Sequence, residues 1–326
     1  MSQTAADGPF DGLYRLDAAG EVSRIAAWLR DAVHGTLGRR GAVVGVSGGV
    51  DSSVVVALCA RTFGPENVLA VLSPERESAP ETLELSRLAA ESAGVPVVEE
   101  DLTAALDALG SYQRRDEALT GIVPGFTADW RIKIVLPSAL ASSRLRIFKL
   151  VAEAPDGVRV ERRLPADAYR TLVAAVSFKQ RARKALEYFH ADRLGFAVAG
   201  TPNRLEFDQG FFVKNGDGAA DVKPIAHLYK TQVYALAEEL GVPEAIRTRV
   251  PTTDTYALDQ TQEEFFFGVP LEVLDCCLFA DDHGIGERET AEATGLTVEQ
   301  VRQVRAEVEA KRRAGRYLHL EPLVIG

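Results

Sequence analysis

The sequence predicts an α/β protein: a doubly wound parallel sheet with an inserted antiparallel β-hairpin element and helices towards the C-terminus. Three observations predict it. Short apolar runs of strand length alternate with helical patterns. A glycine- and serine-rich loop follows the first of those runs, and between residues 112 and 175 the rhythm changes to period-two alternation.

The elements follow in order. Residues 1–20 are polar and read as a loose arm. Ile25, Ala26, Leu29, Ala32, Val33 and Leu37 recur at helical spacing. Ala42-Val43-Val44-Gly45-Val46 is a short buried strand, broken by Ser47-Gly48-Gly49, and residues 54–63 are apolar and helix-compatible. Residues 68–72 form the next strand, 81–93 the next helix, and Val95-Pro96-Val97-Val98 opens a third strand. Within the inserted segment 112–175, residues 130–136 and 144–148 alternate as half-exposed strands do. Ala154-Pro155-Asp156-Gly157 makes a turn before residues 158–161. The α/β pattern resumes with a helix around 178–192, a strand at 195–200 and a helix at 230–240 that stops at Gly241 and Pro243. Residues 289–314 are helical, with Thr297 and Gln300 spaced as a capping box. The chain is read as one domain over 1–326.

Composition narrows the function. A chain of 326 residues with 46% hydrophobic content can bury a large core, and a net charge of -10 disfavours nucleic acid as a partner. The three cysteines, Cys59, Cys276 and Cys277, have no disulfide spacing, which suits a reducing cytoplasm. Residues 1–20 lack the pattern of a signal peptide, and no apolar run is long enough to span a bilayer, so no membrane partner is expected.

The strongest local signal is Ser47-Gly48-Gly49-Val50-Asp51-Ser52-Ser53, between strand and helix. Its glycines permit a tight turn, and the hydroxyls of Ser47, Ser52 and Ser53 can donate to phosphate oxygens beside a helix N-terminus. It is not the GxxxxGK[ST] loop, and it has no lysine. Charge on a bound phosphate therefore needs a metal or residues from elsewhere, and Asp51 is the natural attachment for Mg2+. A bare G-G-x-D would be an ordinary strand–helix turn. The full string resembles the pyrophosphate-binding loop of the ATP pyrophosphatase superfamily, whose members cleave ATP between the α and β phosphates and adenylate a substrate oxygen. The resemblance implies the adenine nucleotide alpha hydrolase-like fold and assigns Gly45, Val46, Ser47, Gly48, Gly49, Val50, Asp51, Ser52 and Ser53 to ATP.

Further strings choose within that superfamily. Lys179-Gln180-Arg181-Ala182-Arg183, Gly200-Thr201-Pro202-Asn203-Arg204-Leu205-Glu206 and the run 210–225 are followed by Leu228-Tyr229-Lys230-Thr231-Gln232-Val233 and Pro251-Thr252-Thr253-Asp254. Their content and order resemble the NAD synthetase family over residues 42–100 and 177–278. The resemblance implies an ATP- and Mg2+-dependent ligase that adenylates nicotinic acid adenine dinucleotide and amidates it with ammonia. It makes Asp51, Lys230 and Thr201 catalytic, adds Thr201, Lys230 and Thr252 to the ATP contacts, and pairs Asp51 with Glu206 on the metal. Arg181, Lys214 and Asp221 resemble contacts to the dinucleotide. The threonines also suit turn caps, Arg181 suits a solvated helix face, and Asp217 suits a stabiliser of the Gly216/Gly218 turn. A homodimer is implied by the family alone. The chain begins Met1-Ser2 and has no recognisable glutaminase nucleophile, so free ammonia, or ammonia from a separate glutaminase, is expected.

Four departures keep alternatives open. The family's C-terminal His-Lys pair is absent from residues 311–322, its D-E appears as Gln262-Glu263, Ser73-Pro74-Glu75-Arg76-Glu77-Ser78 is atypical, and the insertion near residues 112–175 has no recognisable counterpart in the family. A divergent ligase amidating another carboxylate, and a nucleotide-binding paralogue without activity, therefore stand beside the main reading; a tRNA-modifying role ranks last.

Overall fold

The structure, a computed structural model, describes residues 8–138, 140, 148–252 and 256–325. Its described strands are β1 (Ala42–Gly45), β2 (Val68–Leu72), β3 (Val97–Glu99), β4 (Arg131–Val135), β5 (Lys149–Glu153), β6 (Arg159–Arg163) and β7 (Ala197–Ala199). The main sheet runs β3-β2-β1-β7, every pair parallel, with Ala42 opposite both Val68 and Ala197. Strands β1, β2 and β7 are buried on both faces, as parallel sheets usually are, while the edge strand β3 is exposed at Val97 and Glu99. Ala42 and Val44 turn towards the helices Ala18–Arg30, Val50–Phe63 and Lys230–Glu239, while Val43, Leu69, Val71 and Val198 turn towards the helix Ala166–Leu194. The strand order reverses at β1, and the crevice beyond its C-terminal end is where such sheets bind ligands.

The inserted region is larger than a hairpin. β4, β5 and β6 form a three-stranded antiparallel sheet, with Arg131 opposite Glu153 and Lys149 opposite Arg163. Its middle strand is Lys149–Glu153, and the expected strand at 144–148 lies outside the described residues except for Phe148. Ile132, Ile134, Leu150 and Ala152 pack on Leu119, Leu172 and Val176. The edge strand β6 is polar, carrying Arg159, Glu161, Arg162 and Arg163, which discourages strand addition.

Three further expectations are corrected. The helix expected at 178–192 runs from Ala166 to Leu194, because nothing between Pro165 and the left-handed Gly195 (φ 64°) breaks it. Residues 8–20 are packed instead of loose: Phe10 and Leu13 are buried beside Phe279 and Leu274, since two large hydrophobes outweigh the polar flanks. Residues 289–314 divide at Gly295 (φ 69°) into Glu287–Thr294 and Val298–Gly315, the second opened by the expected Thr297/Gln300 capping box. No described helix is long and apolar enough to cross a membrane.

Candidate active site

The loop after β1 takes a shape only glycine allows at one point. Gly48 has φ 71°, and a Cβ there would lie 2.7 Å from the Thr82 carbonyl oxygen. Thr82 belongs to the first turn of the helix Pro80–Ser92, so that helix backs directly onto the loop. The next helix begins at Val50, turning its first N–H groups towards a cavity of about 410 Å³. Gly45, Val46, Ser47, Gly49, Val50, Asp51 and Ser52 line that cavity; Gly48 and Ser53 do not. Two of the three serine hydroxyls are held by the loop's own backbone. Ser52 Oγ accepts from Ser47 N (3.2 Å) and donates to Gly49 O (3.1 Å), and Ser53 Oγ also donates to Gly49 O (2.9 Å). Both lie within one helical turn of that carbonyl, so they rigidify the loop.

At the end of the loop, residues from distant parts of the chain converge. Lys230 Nζ donates to Asp51 Oδ2, and Asn203 Nδ2 donates to Asp51 Oδ1 at 3.0 Å. Asn203 is also the N-cap of the helix Arg204–Gln209, in a reciprocal capping box with Glu206. Gln262 Nε2 donates to Glu206 Oε1 at 3.0 Å. Burial, then the charge of Asp51, pushes the Glu206 carboxyl up to about 8. Burial works against the Lys230 ammonium, but Asp51 and Glu206 outweigh it and its pKa is raised. The two carboxylates form an all-oxygen pair in a buried setting, which suits a hard divalent cation, and a cation between them would remove the repulsion that Glu206 feels. Among the described residues no group of three or more His, Cys, Asp or Glu side chains could hold a metal. The remaining positions on such a cation would fall to phosphate oxygens and water, the usual arrangement for Mg2+.

A lysine at the first position of a helix opposes the helix dipole, and the structure supplies the compensation. Asp275, 0% exposed on the helix Leu271–His283, accepts from Lys230 N (3.1 Å), Thr231 N (2.7 Å) and Thr231 Oγ1 (2.7 Å). Burial pushes its carboxyl up to about 6. Sequence reasoning missed Asp275, although an acid between the apolar Val273-Leu274 and Cys276-Cys277-Leu278-Phe279-Ala280 is a signal in itself.

Thr201 and Thr252 both line the cavity, with Thr252 bridged to Thr261. Thr253 and Asp254 lie outside the described residues. Asp217 lines the cavity and accepts from Val213 N (2.8 Å), holding the Gly216/Gly218 turn. Arg181, Lys214 and Asp221 do not line it. Arg181 Nε donates to Lys214 O (3.3 Å), and Lys214 Nζ donates to Tyr317 O (3.0 Å) and Leu320 O (2.8 Å). Asp221 accepts from Val198 N (2.8 Å) and Tyr188 OH (3.3 Å), beside a separate small cleft. The first two therefore sit together under the C-terminal turn.

The atypical stretch after β2 is explained by a buried network. Lys179, 2% exposed, donates to Glu75 Oε1 (2.7 Å) and Glu77 Oε2 (2.6 Å), while Tyr112 OH donates to Glu75 Oε2 (2.7 Å) and Arg115 pairs with Glu77. It fastens residues 73–79 and the helix Ser111–Thr120 to the long helix, whose Tyr169 and Val173 form the far wall of the cavity.

Comparison with known proteins agrees with this geometry. The NAD synthase family model matches residues 21–147 and 158–314. A protein of Rhizobium rhizogenes named NH(3)-dependent NAD(+) synthetase is 53% identical over 311 residues, covering 95% of this chain and 94% of its own length. One of the same name from Rhizobium meliloti is 54% identical over 311 residues, covering 95% and 93%. Among solved structures, an NH3-dependent NAD synthetase from Campylobacter jejuni superposes with a TM-score of 0.62 at 20% identity, over 95% of this chain and 100% of that one, which speaks for the fold. The chain belongs to the NAD synthase family.

Proposed function

We propose that this chain is an ammonia-dependent ligase that uses ATP to adenylate the carboxylate of nicotinic acid adenine dinucleotide and then amidates it to NAD. The observation that carries this reading is the convergence of Lys230, Asp51 and Glu206 on one cavity at the end of the glycine loop, with the buried Asn203 bonded to both carboxylate residues.

The chemistry follows from charge and position. The loop N–H groups and the Val50–Phe63 helix N-terminus receive the phosphates. The nicotinate carboxylate oxygen attacks the α-phosphorus, the α–β bridge breaks, and pyrophosphate leaves. Lys230, 3% exposed, offsets the charge that grows on the leaving group without water to screen it. Asn203 holds Asp51, while Gln262 and the Asn203 backbone hold Glu206, so both carboxylates face the reaction in fixed poses. A Mg2+ ion held by Asp51 and Glu206 would supply charge neutralisation for the phosphates. Ammonia then attacks the acyl carbon, AMP leaves with the acyl oxygen, and a proton is released. Holding the reactants accounts for most of this catalysis, so no nucleophilic side chain is required.

Free ammonia is the nitrogen source, or ammonia delivered by a separate glutaminase. The exposed Arg181 and Asp221 suit a dinucleotide whose nicotinate end reaches the ATP cavity while its remainder lies outside, completed by a second copy of the chain, a homodimer in the cytoplasm. One observation favours a different carboxylate: Lys214 is engaged by carbonyls of the C-terminal turn. The test is pyrophosphate release from Mg-ATP with ammonium, comparing nicotinic acid adenine dinucleotide, nicotinic acid mononucleotide and no acceptor, with Asp51→Ala as control. Release that needs the dinucleotide and yields NAD is the expected result. Release driven equally by another carboxylate, or by none, would contradict it.

A further inference from the structure

Four cationic side chains line the cavity: Arg183, Lys184, Lys230 and Arg249. Two are tied to carboxylates, Lys230 to Asp51 and Lys184 to Glu187 at 2.5 Å. Arg183 Nε donates to the Ser73 carbonyl at 3.2 Å. Arg249 pairs with no carboxylate among the described residues; its Nη2 donates to the neutral hydroxyl Thr82 Oγ1 at 3.1 Å. Thr82 is the residue whose backbone backs onto Gly48, since a Cβ on Gly48 would lie 2.7 Å from Thr82 O. The guanidinium of Arg249 thus sits one residue from the glycine loop, at the cavity, with its charge uncommitted to an acid.

The loop itself has no lysine, and a Mg2+ ion on Asp51 and Glu206 would share its charge with those two carboxylates, so a bound triphosphate leaves negative charge that Lys230 and the loop N–H groups do not fully balance. A guanidinium is suited to the gap because its fork of donors can take two phosphate oxygens at once. We propose that Arg249 is a binding residue for the β and γ phosphates of ATP, and so for the pyrophosphate that leaves. This rests on the ATP-dependent reading above and adds a residue that the sequence motifs did not single out. Its place supports the role: Arg249 directly precedes Val250-Pro251-Thr252, and Gln262, which holds Glu206, donates its backbone N–H to Pro251 O at 3.2 Å. The same short segment therefore carries a phosphate cation and steadies a candidate metal carboxylate.

The test is calorimetric titration, in Mg2+ buffer, of the wild-type chain and of Arg249→Ala, Arg249→Lys and Thr82→Val. The ligands are α,β-methylene-ATP, pyrophosphate and AMP. Arg249→Ala is expected to weaken the ATP analogue and pyrophosphate together, by about tenfold to a hundredfold, the range of a charge-assisted hydrogen bond, and AMP by less than about twofold. Arg249→Lys recovers part of the loss, because the charge returns without the fork. Thr82→Val, which removes the hydroxyl that holds Arg249, changes pyrophosphate affinity by less than about threefold. The inference is overturned if Arg249→Ala binds the analogue as the wild type does. It is equally overturned if AMP weakens as much as pyrophosphate, or if Thr82→Val reproduces the full loss, since either outcome makes Arg249 a structural tie. A wild-type chain that binds no ATP analogue would sink the ATP reading itself, which is a separate result.

Discussion

Replacing Gly48 by alanine tests whether the loop and the Pro80–Ser92 helix are built against each other. At φ 71° the added Cβ would meet Thr82 O at 2.7 Å, Leu85 Cβ at 2.9 Å and Ser86 N at 3.0 Å. Two of those atoms are helix backbone, which cannot swing away as a side-chain tip can. The left-handed conformation costs a non-glycine residue roughly 1–2 kcal/mol, and the forced contact roughly 1–3 kcal/mol more. Unfolding entropy for a chain of 326 residues is about 0.7 kcal/mol per kelvin, so a loss of about 2–5 kcal/mol lowers Tm by about 3–7 °C. Gly49 is the internal comparison: its φ is -87° and the nearest atom to an added Cβ is Ser47 Oγ at 3.5 Å. Gly49→Ala should lose less than about 1 kcal/mol of stability. Scanning calorimetry on both variants, followed by titration with an ATP analogue, reads the difference. Equal melting temperatures for the two variants, or unchanged ATP binding by Gly48→Ala, would refute the reasoning.

Other predictions rest on other parts of the structure. Lys179→Met takes the buried cation from Glu75 and Glu77, leaving Glu75 only the Tyr112 hydroxyl, and should cost about 3–5 kcal/mol in urea unfolding, whereas Arg87→Met, which breaks the exposed pair with Glu99, should cost less than about 1 kcal/mol. Similar losses would show that the buried network is not what holds residues 73–79. Lys230→Met should lower kcat/KM for ATP by at least about a hundredfold in a pyrophosphate-release assay, and a loss below about tenfold would remove Lys230 from the chemistry. Asp275 carries a pH signature. Burial raises its carboxyl from 3.8 to about 6, so between those values the folded chain holds more protons than the unfolded one, and stability falls as pH rises through that window. Asp275→Asn should flatten that slope in urea melts taken across it, and an unchanged slope would mean that Asp275 titrates elsewhere.

Much of the fold could be read from the residues because its signals are local. Ala42-Val43-Val44 is apolar on both faces, as a strand covered by helices on both sides must be, and Gly241 and Gly295 end helices through their own backbone freedom. The limits of the inserted region were harder. Lys149–Glu153 alternates no more clearly than its flanks, and only pairing with both β4 and β6 makes it the middle strand. The glycine loop was legible as a string, and Asn203 with Glu206 has the spacing of a capping box. What escaped notice depends on contacts across long stretches of chain: Asp275 meets Lys230 across 45 residues, Gln262 meets Glu206 across 56, and Arg249 meets Thr82 across 167. No local pattern encodes such pairs. The serines were legible by type and place, whereas their hydrogen bonds to the Gly49 carbonyl were not.

The proposed reaction requires an adenylated carboxylate, and isotope transfer tests that most directly. Nicotinic acid adenine dinucleotide labelled with 18O in its carboxylate is incubated with Mg-ATP, ammonium and the chain, and the products are examined by mass spectrometry. Attack of the carboxylate on the α-phosphorus predicts one 18O atom in AMP and none in pyrophosphate. Label in inorganic phosphate alongside ADP would mean attack at the γ-phosphorus and would contradict the account, as would NAD formed with unlabelled AMP.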